Sequence, residues 1–126
     1  MRHMLTAAVT AAIMISSATM ALAADPKRMQ DVGTCLAFSY VNNGLDGKRD
    51  VPDELLNGIV ALKDEFMFEA SINGLDDNAA QTYVVEQLTE QNRIKQLKGI
   101  AAVREKYLDL CAGIAEGLAT ATKKNP

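Results

Sequence analysis

The residues best suited to covalent chemistry are two cysteines, Cys35 and Cys111. Two thiols can join as a disulfide, a form that persists in oxidising compartments. With two cysteines in the chain there is one possible pairing, and closing a loop of this length stabilises a fold by about 4–5 kcal/mol in the chain-entropy description. We therefore predict a Cys35–Cys111 disulfide, with two separate reduced thiols as the alternative.

The chain has a single histidine, His3, which lies close to the N-terminus. Serine and cysteine nucleophiles usually need an imidazole base. Zinc and other transition-metal sites usually need His or several Cys. The cysteines lack Cys-x-x-Cys spacing, and the chain contains no Gly-rich phosphate loop. We therefore expect neither an enzyme nor a cofactor.

Carboxylates are the remaining groups that could act as acids, bases or metal ligands. They cluster in two stretches, one from Asp46 to Glu54 and one at Asp76 and Asp77. Oxygen-rich loops suit calcium, but the EF-hand order is missing and two cations, at positions 48–49, interrupt the first stretch. We interpret both clusters as helix caps and solvated turns rather than as a metal site.

The N-terminus predicts export. Arg2 and His3 precede an uncharged, Ala-rich apolar run over residues 5–20, and Ala21-Leu22-Ala23 places small residues as a signal peptidase site requires. A membrane anchor needs about 20 apolar residues, whereas this run is shorter and contains Thr and Ser. We predict a signal peptide over residues 1–23, cleavage after Ala23, delivery to the bacterial periplasm, and one helical domain over residues 24–126.

Charge and hydropathy limit the partners of the mature chain. Removing 23 of the 126 residues leaves 103, and losing Arg2 leaves 12 basic and 16 acidic residues, a net charge of −4. Nucleic-acid binding needs a clustered positive field, so we exclude it. No second apolar run approaches the length of a membrane span. We therefore expect no membrane contact after signal removal.

The apolar spacing of the mature chain is helical throughout. A first helix is predicted over 26–43, and a second begins near Pro52 with Asp50 as its N-cap and ends at Asn73-Gly74. We assign these residues of the second helix to the core: Leu55, Leu56, Ile59, Val60, Leu62, Phe66 and Met67.

A third helix should begin after Asp76 or Asp77, and the polar stretch 89–98 either extends it or breaks it. The last helix carries an apolar row of Ile100, Val103, Tyr107, Leu110, Ile114 and Leu118, and residues 120–126 should fray. Gly113 and Gly117 on this helix predict close helix packing. The fold class is therefore all-α, a compact bundle of about four helices with one disulfide tying the first and last helices.

The tetrapeptide Asn-Gly-Leu-Asp occurs twice, at 43–46 and at 73–76. A 30-residue repeat would suggest a solenoid, but the flanking sequences do not match. Shared capping chemistry is the simpler interpretation: Asn-Gly ends a helix, Leu packs back onto it, and Asp caps the next segment.

Charge is distributed unevenly along the chain. Residues 50–90 contain ten acidic side chains and one basic, whereas residues 93–106 contain five basic and one acidic. Such a pattern is either an ordinary solvated surface or a means of steering a charged protein partner or a second subunit in a homodimer.

The turn at residues 72–77 is the predicted docking element, because a short turn can enter a cleft and its Asp76 and Asp77 would meet a basic rim. Phe68 lies about one helical turn earlier. It either completes the core or is exposed as an apolar anchor beside the turn.

Two segments around the cysteines resemble a known family. The run Cys35-Leu36-Ala37-Phe38-Ser39-Tyr40, followed by Gly44 and Asp46, is similar to the Cys/Tyr/Gly/Asp pattern of the immunity proteins for type VI secretion cell-wall amidase effectors. Lys106-Tyr107-Leu108-Asp109-Leu110-Cys111 resembles their late Cys-containing helix. The resemblance implies a periplasmic, disulfide-linked helical protein that blocks an amidase active site, often as a dimer, and it assigns no individual binding residue.

The same outline resembles the periplasmic acid-stress chaperones, which are also short, helical and disulfide-linked and which expose apolar surface at low pH. Such a chaperone needs carboxylates whose neutralisation loosens the fold, and this chain has many. We predict a periplasmic protein-binding domain that neutralises an amidase toxin, with the acid-activated chaperone as the alternative. An enzyme that uses only carboxylates is a third class.

Export and oxidation are tested together by intact-mass measurement of periplasmic material with and without reductant. We expect a chain that begins at Ala24 and gains the mass of two hydrogens on reduction. Retention of residues 1–23, or two thiols that alkylate freely without reductant, would refute the prediction.

Overall fold

The computed structural model describes residues 23–45 and 50–124, which form four α-helices and contain no β-strand. The helices are α1 (Pro26–Asn42), α2 (Asp53–Ile72), α3 (Asp77–Lys98) and α4 (Ile100–Lys124). The predicted all-α bundle of about four helices is therefore confirmed. The predicted signal peptide lies outside the described residues as far as Leu22.

Helix α1 is the centre of the bundle. Each of the other three helices packs mainly or largely against it, and α2 makes few contacts with α3 or α4. A helix that is apolar on all sides is stable only when it is surrounded. The buried residues of α1 are distributed around its whole circumference: Met29, Val32, Gly33, Cys35, Leu36, Ala37, Phe38 and Val41.

The disulfide joins this central helix to the last one. Cys35 and Cys111 are bonded, with their Cα atoms 5.2 Å apart, and both are buried. Their sequence separation is 76 residues, so the bond removes considerable freedom from the unfolded chain. The predicted pairing and the predicted connection of the first and last helices are both confirmed.

The duplicated Asn-Gly-Leu sequence ends α1 and α2 in the same way. Gly44 and Gly74 adopt positive φ angles of 60° and 84°, the left-handed conformation that glycine tolerates best. The following leucine N–H bonds back to the helix, Leu45 to the Tyr40 carbonyl at 3.0 Å and Leu75 to the Ala70 carbonyl at 2.9 Å. This is the Schellman arrangement, and the interpretation as shared capping chemistry is confirmed.

Both asparagines and one of the two aspartates complete the caps. The Asn43 and Asn73 side-chain amides each donate to the carbonyl four residues earlier, at 2.8 Å. Asp76 caps α3, because its Oδ1 accepts from the Ala79 N–H at 2.8 Å. Its counterpart Asp46 lies outside the described residues.

The start of α2 differs from the prediction. Asp50 is not the N-cap, because Pro52 occupies that position and its carbonyl accepts the Leu56 N–H at 2.9 Å. The helix therefore begins at Asp53, and Asp50 is two residues too early for its side chain to reach the free N–H groups. No side chain caps the N-terminus of α2.

The polar stretch 89–98 is helical and continues α3 without a break. Within it, Gln91 is 0% exposed, although its surroundings in the sequence suggest solvent. Its Nε2 donates to the Thr34 carbonyl of α1 at 3.0 Å, while its Oε1 has no partner among the described residues. Thr34 also donates to Gln87 at 3.1 Å, so α1 and α3 meet along a polar seam that the apolar spacing could not reveal.

Helix α4 differs from the prediction in three respects. Cys111 takes the core position, and Leu110 is exposed. The helix continues through residues 120–124, where the sequence predicts fraying. A Cβ added to Gly113 or Gly117 would meet no atom of the described residues within 4 Å, so these glycines do not provide the close helix packing that we predicted.

Close packing occurs instead at Gly33 on α1. A Cβ at this position would lie 2.7 Å from Cε1 of Phe66 and 2.8 Å from Cε2 of Tyr83. These rings come from α2 and α3 and stack with their centroids 6.0 Å apart. The missing side chain of Gly33 therefore lets two aromatic rings meet directly over α1.

We expect Gly33→Ala to destabilise the fold by about 1–3 kcal/mol, because overpacking outweighs the gain of about 1 kcal/mol in helix propensity. Gly113→Ala is the matched control, and it should stabilise by up to about 1 kcal/mol because its site is open. Denaturant unfolding measures both. If both variants are stabilised, the two rings do not pack against α1 as described.

Candidate functional site

The predicted docking turn lies where α2 ends and α3 begins. Asp76 and Asp77 are both exposed. The carboxylate of Asp76 is used within the chain as the α3 N-cap, whereas Asp77 lies in the first turn of that helix. Asp76 therefore has a structural role, and Asp77 is the better test of charge at this turn.

Phe68 is 53% exposed, so the expectation that it completes the core is wrong and the exposed alternative holds. It belongs to a row at four-residue spacing, the i±4 ridge of a helix surface. We call this row the α2 ridge; its members are Leu56, Val60, Asp64 and Phe68. Leu56 and Val60 are each 45% exposed, which corrects their assignment to the core.

These predicted residues share one end of the bundle. Phe68 lies about one helical turn before the end of α2, and Asp76 and Asp77 follow after the short connection. The start of α1 lies at the same end, because the Asn73 side chain contacts the Asp25 carbonyl at 3.5 Å. An apolar anchor and an acidic turn are thus presented together.

A group of carboxylates around Arg28 adds negative charge at this end. Arg28 of α1 pairs with Glu65 of α2 at 3.2 Å. Partial burial raises the pKa of Glu69 above its ordinary value of 4.5, and the neighbouring Glu65, by hydrogen bonding and by its charge, raises it further. Arg28 lowers this pKa and Asp25 raises it. Two carboxyl groups that share a hydrogen bond favour the protonated form of one of them.

A groove lies between α2 and α3, which rest on α1 and meet each other at few positions, the Phe66–Tyr83 ring pair among them. We call it the α2–α3 groove; it has a volume of about 320 Å³. Its buried and half-buried lining is Leu36, Tyr40, Phe66, Met67, Val84 and Leu88. Three exposed side chains border it: Lys63, Gln81 and Val85.

A second cleft, of about 540 Å³, lies between the end of α3 and the start of α4 and contains part of the basic stretch. Its positive charge is partly neutralised, because Arg93 forms two hydrogen bonds to Glu90, the shorter 2.7 Å. This contact lowers the pKa of Glu90. The Lys106 ammonium lies 5.4 Å from the centre of the Tyr107 ring. Two of the basic side chains in this cleft are therefore engaged in contacts within the chain.

Among the described residues, no group of three or more His, Cys, Asp or Glu side chains is placed to hold a metal ion. Within the same ranges, no helix is both long enough and apolar enough to cross a bilayer. No protein-family model, curated protein or solved structure matches the chain. Its function must therefore be inferred from the charges and the apolar side chains on its surface.

Two carboxylates predict opposite pH dependences. A raised native pKa gives Glu69 a stabilising contribution below about pH 4.5 that is lost as the pH rises through its native pKa. Glu69→Gln should therefore be more stable than the wild type at pH 7 and equally stable at pH 3. A lowered native pKa gives Glu90 the reverse behaviour, so Glu90→Gln should be less stable at pH 7 and equal in acid.

Melting temperatures of the wild type and both variants, measured from pH 3 to pH 7, provide the check. A Glu69→Gln variant that is less stable than the wild type at neutral pH would show that Arg28, and not burial and Glu65, controls this carboxylate.

Proposed function

We propose that this chain is an exported protein-binding domain that inhibits a cell-wall amidase in the periplasm. The observation that carries the proposal is the exposed α2 ridge, which ends beside the acidic turn at residues 73–77. Large apolar side chains exposed on a small folded domain are typical of protein interfaces. The predicted signal peptide and the buried disulfide support an oxidising compartment.

The two segments that resemble the amidase immunity proteins meet at the disulfide. Cys35 and Cys111 bond directly, and the Phe38 and Tyr107 rings lie 6.2 Å apart between centroids. Most of the residues in the first segment are buried. The resemblance therefore concerns the scaffold, and on this proposal the specificity for a partner lies in the exposed ridge and turn.

The geometry suggests how inhibition would work. The turn at residues 73–77 is held rigid by the Schellman bonds and by the Asp76 cap, so little entropy is lost when it enters a cleft. Asp77 would attract a basic rim during approach, and Phe68 would fill an apolar recess beside it. The amidase would then be blocked sterically, without chemistry by this chain.

The acid-activated chaperone is the alternative, and it requires that protonation of carboxylates loosens the fold. Protonation of Glu90 would break its ion pair with Arg93 and so loosen the fold. This pair is exposed, however, and exposed pairs contribute little to stability. Glu69 acts in the opposite direction, because its protonated form is favoured in the fold. The balance supports a binding protein that works as a folded domain near neutral pH.

Inhibition is measured by adding the exported protein to candidate cell-wall amidases at pH 7 and following peptidoglycan cleavage. We expect stoichiometric inhibition of one amidase. The proposal is overturned if no periplasmic amidase is inhibited while client aggregation is suppressed only below about pH 3, where most carboxylates are neutral.

Variants at the turn and the ridge should separate steering from anchoring. Asp77→Lys should slow association by several-fold, most strongly at low salt. Phe68→Ala should raise the dissociation rate tenfold or more and leave the fold intact, because Phe68 is exposed. On- and off-rates with the inhibited amidase measure both effects.

Matched controls are available. Asp76→Asn removes a charge but keeps a capping side chain, so it isolates the electrostatic effect from the cap. Leu108→Ala removes a similarly exposed apolar side chain from α4. If Leu108→Ala weakens binding as much as Phe68→Ala does, the α2 ridge is not the anchor.

A further inference from the structure

We propose that the α2–α3 groove binds a single-chain anionic amphiphile, with the apolar chain along the groove and the anionic head group against Lys63. This site is separate from the α2 ridge and turn, and it does not depend on the amidase proposal. Its residues come from three helices: α1 provides Leu36, α2 provides Phe66 and Lys63, and α3 provides Leu88.

The size of the groove indicates a narrow ligand. The groove has a volume of about 320 Å³, at the small end of ligand sites. A volume of this size suits one extended acyl chain rather than a larger ligand.

The lining of the groove indicates an apolar ligand with one polar end. Leu36 and Phe66 are buried beneath it, and Val84 and Leu88 are half-buried in its α3 wall. A mostly apolar surface bordered by a few polar groups is the usual composition of a small-ligand site. The polar groups on the border are the Lys63 ammonium and the Gln81 amide, with the half-buried Tyr40 beside them.

The charge of the head group follows from Lys63. It is the one basic residue between positions 50 and 90, and it borders this groove. The residues one helical turn away from it on α2 are all apolar: Ile59, Val60, Phe66 and Met67. Lys63 thus has no carboxylate at the i±3 or i±4 positions, where helical ion pairs form, and its charge is available to an anion.

Binding is tested with dodecanoate, dodecanol and dodecyltrimethylammonium, each below its critical micelle concentration, titrated into the mature oxidised protein. We expect saturable binding of dodecanoate, about tenfold tighter than that of the cationic amphiphile. Lys63→Met should weaken dodecanoate by about tenfold and leave dodecanol unchanged. Lys98→Met, a lysine in the other cleft, is the matched control and should change nothing.

The groove itself is tested by Val85→Trp, because Val85 is exposed and a larger ring there would cover the opening without disturbing the core. This variant should weaken all three probes. A comparison of lauroyl lysophosphatidylglycerol with free dodecanoate distinguishes a membrane lipid from a free fatty acid as the source of the ligand. Tighter binding of either probe supports the site.

Three results would overturn the proposal. The first is equal affinity for the anionic and cationic probes, since Lys63 would then not select the head group. The second is that none of the probes binds saturably. The third is binding that Val85→Trp leaves unchanged, because the ligand would then lie outside the groove. None of these results bears on amidase inhibition, which is measured separately.

Discussion

The burial of α1 on all sides, from Val32 to Val41, is the constraint on which the rest of the structure depends. A helix with apolar residues around its whole circumference cannot lie at a surface, so the other three helices must surround it. Gly33 lets rings from α2 and α3 close over one side. Cys35 fixes α4 against another side by a covalent bond. The outer helices are thereby placed by their contacts with α1 more than by contacts with each other.

This arrangement explains which parts of the fold the sequence predicts. Helical spacing and Asn-Gly caps are local signals, and they give the existence and order of the helices and the ends of α1 and α2 to within a residue or two. The C-terminal ends of α3 and α4 carry no Asn-Gly cap, and the sequence does not define them. The disulfide follows from the number of cysteines, because two cysteines allow one pairing. Burial is harder, because spacing shows which residues share a helix face but not how many neighbours cover that face. Spacing alone assigns Leu56 and Val60 to the core for that reason, although each is 45% exposed.

Gln91 shows the same difficulty in reverse. Its stretch of the sequence is polar, so nothing local indicates a fully buried side chain. It is buried because α3 crosses α1 where a threonine carbonyl is available to accept its amide hydrogen. The candidate functional features also differ in how well the sequence predicts them. The acidic turn and Phe68 can be found from charge and capping patterns. The α2–α3 groove has no sequence signal, because it is formed by three helices. The apolar surface predicted on the second helix is wide, and this width is the one sign in the sequence that some of its apolar side chains are exposed.

Contacts within the chain engage charges of both signs. Glu90 pairs with Arg93 on α3 and Glu65 of α2 pairs with Arg28 of α1, while on α4 Arg104 donates to Asn42 and Lys106 lies over the Tyr107 ring. Because an ion pair removes one charge of each sign from the field, the excess of acidic residues is unchanged. The scaffold and the recognition surface are different parts of the molecule. The disulfide and its neighbours are buried, whereas the features able to recognise a partner are on the outer helices.

The dependence of α2 on a single neighbour also affects how the molecule fluctuates. Because α2 packs chiefly on α1 and carries no covalent crosslink, fewer contacts hold it than hold α3 and α4, which also pack on each other. Segments of this kind open at a lower free energy than the whole protein unfolds, and their amide hydrogens exchange sooner. Opening of α2 would expose Phe66 and the other core side chains of this helix and uncover one side of α1, so it would be a partial unfolding of the core.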